Sequence, residues 1–226
     1  MIWLLDNGHG IDTQFKESKP LDNGLIFKEY EFNRLVIKLL SFMLKADKIE
    51  HEIIVPEIED ISLHERVKRA NQIYKQNKNC VYLSVHSNKF EYLYIDKNFK
   101  VRYDPGKFGY INKNRLHKKP IPDWNRVNGI ETYYCKGSTK GHNIARIFQY
   151  HLINDLNLKD RGIKTANFTV LLNTLMPAIL TETGFYSNKN WVNSMMTCSG
   201  LDNQKCYEIA LSHFNAIKEI ENNIKL

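Results

Sequence analysis

The chain has 226 residues, 42% of them apolar and 12% aromatic. That suffices for one domain with a sizeable core and excludes disorder, which goes with few aromatics. The net charge of +7, with a sequence pI near 9.1, favours a polyanionic partner, with simple solubility as the plainer reading,. No RNA-binding signature or helix-turn-helix with clustered Arg is present, so an anionic polymer of the cell wall is preferred over nucleic acid.

Elements follow in chain order. Ile2 to Leu5 reads as a buried strand ending at Asp6. No basic leader precedes it and no apolar run approaches the roughly 18 residues of a membrane helix. Synthesis in the cytoplasm is therefore expected, with any exit by a route that reads no leader. Residues 29–46 carry Phe32, Leu35, Val36, Leu39, Leu40 and Met43 at helical spacing,. "EIIVP" at 52–56 reads as a strand closed by proline. "SLHERVKRANQIYKQN" at 62–77 is a helix, with Ser62 and Glu65 spaced as a capping box,. "CVYLSVHSN" at 80–88 is a strand rich in β-formers. Residues 89–128 hold many Lys, Arg, Asn and Tyr with little periodicity, and read as a long surface excursion. "GIETYYC" at 129–135 returns to strand. A helix capped by Ser138 runs to about 155, "PAILTETGF" at 177–185 is a buried strand, and residues 203–224 close the chain as a helix.

Alternating strands and helices imply a single α/β domain over 1–226, with a mostly parallel twisted sheet and helices on both faces. In such sheets ligands bind beyond the carboxyl ends of the strands. Three polar groups stand at strand ends: His9 in "LLDNGHGIDT", His86 in "SVHSN" and Glu182 in "LTETGF". Glu29 begins the first helix. Two imidazoles and a carboxylate are a common ligand set for catalytic zinc, and a further carboxylate would serve as general base. These groups have plainer readings, and Glu182 could be an ordinary N-cap acid. A lone histidine at a strand end is more often a structural hydrogen-bonder. The Gly-His-Gly turn could belong to a phosphate loop, although Thr13 stands where that pattern wants a glycine. Cys80, Cys135, Cys198 and Cys206 match no zinc-finger spacing and are expected to be free thiols.

The segments "DNGHG", "EYEFNR", "SLHERVKRAN", "SVHSN", "NGIETYY" and "RGIKTANFTVLLNTLMPAILTETGFYSN" occur in that order. Together they resemble the zinc-dependent N-acetylmuramoyl-L-alanine amidases of the Amidase_3 type, across nearly the whole chain apart from 89–128. The resemblance implies one α/β catalytic domain and one zinc ion. It also implies cleavage of the amide between the lactyl group of N-acetylmuramic acid and L-alanine in peptidoglycan. By resemblance His9, Glu29 and His86 match the metal ligands and Glu182 the catalytic glutamate. Glu31 is the rival to Glu29, two residues along the helix and so pointing elsewhere. Asp6 or a backbone carbonyl could orient His9; for Asp6 the equal alternative is a strand-end hydrogen bond to backbone.

The stretch 89–128 departs from the family pattern. Its Lys, Arg and aromatic residues suggest a substrate-facing flap; a solvated insertion is the plainer alternative. With no leader and no appended wall-binding module, the chain resembles a phage or prophage lysin, acting on the wall after release. No obligate protein partner is expected. The competing readings are a zinc carboxypeptidase or aminopeptidase acting on free peptides, and a non-catalytic wall-binding protein.

Overall fold

The computed structural model describes residues 1–90 and 127–223. The body of the excursion expected at 89–128 lies outside the described residues. β1 (Ile2–Asp6) has Trp3, Leu4 and Leu5 fully buried, as an interior strand covered on both faces requires. α1 (Glu29–Ala46) buries Phe32, Val36, Ile37, Leu40 and Leu44 along one stripe,. β2 (His51–Ile53) stops short of the stretch 52–56 expected for it. Ile54 N still donates to Leu5 O at 2.8 Å, but Pro56 has no N–H to extend the ladder. α2 (Leu63–Gln76) starts where Ser62 Oγ accepts from Glu65 N at 3.2 Å.

β3 (Cys80–Asn88) is followed by β4 (Ile130–Tyr134) and α3 (Thr139–Leu156). Then come β5 (Asp160–Thr165), α4 (Thr169–Asn173), β6 (Ala178–Phe185) and α5 (Lys189–Ser194). A small hairpin of β7 (Met196–Thr197) and β8 (Gly200–Leu201) leads into α6 (Asn203–Asn223). Sequence reading had no element at β5, α4, α5 or the hairpin.

The large sheet has the order β2-β1-β3-β6-β4-β5. β2, β1, β3 and β6 run parallel, β4 pairs antiparallel with β6, and β5 runs parallel to β4. The expected mostly parallel sheet is present, with its last two strands reversed. One face packs Trp3, Leu5, Leu83 and Ile179 against α1, α3 and α6. The other packs Leu4, Tyr82, Ala178 and Leu180 against α2 and α4. Because side chains alternate along a strand, register decides what shares the second face. Asp6 pairs with Ser84, His86 with Glu182, and Glu182 with Glu131. Polar groups therefore replace apolar ones on that face as β1, β3 and β6 reach their carboxyl ends.

Candidate metal centre

His9 sits in the turn leaving β1 with φ 53°, after Gly8 at φ 43°. The two flanking glycines answer to two close approaches. A Cβ on Gly8 would lie 2.4 Å from Cε1 of His86, and one on Gly10 would lie 2.0 Å from the backbone N of Asp60. Neither position has room for a side chain, and Gly8 also holds a φ that L residues resist.

The turn brings the imidazoles of His9 and His86 edge to face, with centroids 4.9 Å apart. Glu29, at the first turn of α1 and 1% exposed, reaches both. Its Oε1 lies 3.0 Å from His86 Nδ1 and 3.4 Å from His9 Nε2, and Lys16 Nζ stands 3.6 Å from its Oε2. Glu31 turns outward to Tyr30 and Lys28. Burial opposes the charge on Glu29, but His9, His86 and Lys16 outweigh it and hold the carboxyl far below the usual range,. The donor atoms of His9, Glu29 and His86 all lie within 4.8 Å of one another.

Glu182 comes from the neighbouring strand at the register of His86. Burial, reinforced by the charges of Glu29 and Glu131, pushes its carboxyl well above the ordinary range, against a smaller pull from Lys16. His9 Nε2, Glu29 Oε2 and Glu182 Oε2 are buried and make no hydrogen bond. Buried polar atoms are costly unless partnered, and two of these belong to the converging group of His9, Glu29 and His86. Two nitrogens and a carboxylate oxygen are a donor set that suits zinc with one position left for water. The residues fit such an ion.

Behind this group lies a second network. Of the two roles the sequence leaves open for Asp6, the strand-end bond to backbone is present, and through Ser84 the side chain reaches His86, not His9. Asp6 Oδ2 accepts from Ser84 Oγ and Tyr82 OH, each at 2.8 Å, and its Oδ1 accepts from Arg66 and from Gly8 N at 3.2 Å. Ser84 Oγ in turn lies 3.1 Å from His86 Nε2. Burial works against the charge on Asp6, yet Arg66, His86, Ser84 and Tyr82 keep its pKa lowered. Glu131, which the sequence reading passed over, is the buried neighbour of Glu182 on β4. It is bound by Arg161, Lys164 and Tyr133. The available signal was an acid inside the otherwise apolar "GIETYY".

Among the other histidines, His64 is exposed, His151 pairs with Glu219 and Asp155, and His213 is buried against Thr181. The four cysteines are free.

Comparison with known proteins agrees with this geometry. The chain is 26% identical over 187 residues to the N-acetylmuramoyl-L-alanine amidase LytC of Bacillus subtilis, covering 82% of this chain and 29% of LytC. It is 28% identical over 232 residues to the endolysin of Bacillus phage SPP1, covering 98% of this chain and 66% of the endolysin. It thus spans less than a third of LytC. The crystal structure of an N-acetylmuramoyl-L-alanine amidase from Clostridium difficile 630 superposes with a TM-score of 0.71 at 24% identity, covering 98% of this chain and 97% of that one. That likeness speaks for the fold. The family model described as N-acetylmuramoyl-L-alanine amidase, Amidase_3, matches residues 4–217, and the chain belongs to that family.

Proposed function

We propose that this chain is a zinc-dependent hydrolase of peptidoglycan. It cuts the amide between the lactyl group of N-acetylmuramic acid and L-alanine, and it serves wall lysis. The observation that carries the reading is the convergence of His9, Glu29 and His86, with Glu182, whose buried Oε2 makes no hydrogen bond, at the register of His86 on the next strand. Similarity to a phage endolysin over 98% of the chain supports the lytic role. Residues 1–226 act as one catalytic domain, with 89–128 inserted between β3 and β4.

His9, Glu29 and His86 hold the ion. When bound, zinc supplies Lewis-acid polarisation of the lactyl carbonyl and acidifies a water. Glu182 takes the proton of the attacking water on its carboxylate and returns it to the departing L-alanine nitrogen. Burial raises its proton affinity, the direction that strengthens a carboxylate as a base,. Asp6 and Ser84 fix the ring of His86, since Ser84 bridges the carboxylate to Nε2 and leaves Nδ1 turned to Glu29,.

The test joins metal analysis with a single variant. Purified protein should carry about one zinc, and should release L-alanine amino termini from purified wall in a manner lost on chelation and restored by zinc. Glu182→Gln should keep the metal and lose hydrolysis by a factor on the order of hundreds or more. A variant that stays active, or a metal-stripped protein that still cuts the wall, contradicts the proposal.

A further inference from the structure

We propose that Arg161, assisted by Lys164, forms a carboxylate-binding subsite for the peptide half of the substrate. The inference rests on the peptidoglycan-amidase reading above. The sheet places its parts in a row. His86, Glu182 and Glu131 stand abreast on β3, β6 and β4, and β5 beyond them carries Arg161 and Lys164. A register irregularity between His86 and Asn88 gives β6 one extra residue, so that Phe185 pairs with Asn88 and returns to the face of Glu182,.

The charges in this cluster do not cancel. One buried carboxylate, Glu131, accepts from Arg161 Nε, from Lys164 Nζ at 2.6 Å, from Tyr133 OH and from Asn88 Nδ2 at 3.4 Å. Two cations meet one anion, leaving a surplus positive charge beside the catalytic rim. Arg161 spends only Nε on Glu131. Its terminal nitrogens make no hydrogen bond among the described residues, and its guanidinium lies 5.0 Å over the ring of Phe185. Tether and stacking together fix the plane of the guanidinium, and a fixed fork with two free nitrogens matches a carboxylate bidentately. The side chain is 26% exposed, so a ligand can reach it.

Substrate chemistry selects the half that is bound. Once the lactyl carboxyl is tied up in the amide, the sugar side carries no charge, and the free carboxylates all belong to the peptide. Arg161 lies two strands from Glu182, about 10 Å at the usual strand spacing. That is roughly three residues of extended chain. The bound carboxylate therefore sits on the second or third residue beyond the cut.

The test uses soluble disaccharide–tetrapeptide muropeptides with their peptide carboxylates either free or converted to methylamides. Wild-type enzyme should show a KM about tenfold lower for the free acids, the usual worth of one charge-assisted pair. Arg161→Lys keeps a cation on Glu131 and removes the fork. It should erase most of that preference while zinc content, and kcat on the methylamide substrate, stay as in wild type. Equal KM values in wild type, or a preference that survives in Arg161→Lys, overturn the subsite while leaving the amidase reading intact. If wild type releases L-alanine amino termini from neither substrate, the amidase reading fails and the subsite with it. Should Arg161→Lys not fold, the wild-type comparison of the two substrates decides alone.

Discussion

His86 touches nearly everything that matters at the metal centre, and Gly8 is what lets it. A Cβ at residue 8 would press on the ring of His86, which is itself one of the three converging donors. Gly8→Ala is therefore expected to displace an imidazole rather than merely strain a turn. Zinc titration with a competing chelator should show weaker binding in that variant, and unchanged affinity would refute the assignment. Ser84→Ala removes the hydroxyl between Asp6 and His86. Loss of such an outer partner ordinarily lowers metal affinity by about 10–100-fold, again readable by titration. His213 sets a different expectation, for stability. Its Nδ1 faces Ile209 O at 2.8 Å, its Nε2 faces Thr181 Oγ1 at 2.9 Å, and burial depresses its pKa from 6.5 to about 4. Between those values the unfolded chain takes a proton that the folded chain refuses. Its neutral form thus stabilises the fold above pH 6.5, and the contribution fades as pH falls toward 4, by about 3 kcal/mol in all. Urea midpoints measured from pH 7.5 to 4.5 should fall less in His213→Gln than in wild type, and parallel curves would count against it. At this scale the sequence displayed the four side chains of the proposed site through their place at strand and helix ends. It concealed the partners of those side chains. Asp6 lies three residues from His9, yet the strand pairing of Asp6 with Ser84 commits it to His86; only sheet register could reveal that.

The loop that carries His9 is braced by α2, which contributes no residue to the donor set. Arg66, one turn into that helix and 1% exposed, bonds Asp6, Asp60 Oδ1 at 2.7 Å and Ile61 O at 2.8 Å. Asp60 then receives Thr13 Oγ1 at 2.8 Å, and Gly10 N donates to that same hydroxyl at 2.9 Å. Arg66→Met would leave the buried Asp6 without its cation, held by Ser84, Tyr82 and Gly8 N; losing one partner of a buried ion pair costs up to about 3–5 kcal/mol. A lowered urea midpoint together with weaker zinc binding is expected; an unchanged midpoint would show the bracing to be idle. The long elements were legible because their periodicity is strong: the buried stripe of α1 and the Ser62 cap of α2 coincide with the sequence pattern. β5 was not, because "DRGIKT" is a polar edge strand with a central glycine, the composition that sequence reading assigns to loops,. α4 and α5 are too short to show a helical period.

Across the whole molecule, the proposed ion should act as a ligand of the native state alone, since three distant segments of chain converge only on folding. Zinc at a thousandfold excess over its Kd should stabilise the fold by about 4 kcal/mol, seen as a melting temperature that rises with zinc and falls with chelator. No such response would mean that the three donors do not bind metal. The reversed direction of β4 has a further result. β3 runs toward the rim that carries His86 and Glu182 and β4 sets out from it, so the chain leaves and re-enters the sheet at one margin. Phe90 N donates to Ser187 Oγ at 2.8 Å, and Asn188 Nδ2 donates to Val127 O at 3.0 Å. Both departure points are thus stitched to adjacent residues after β6. A segment sewn down at neighbouring stitches can be lengthened, shortened or exchanged with little strain on the sheet, because each doubling of such a loop costs only about 0.6 kcal/mol. The chain between the two stitches can therefore change in length while His86, Glu182 and Glu131 keep their register in the sheet.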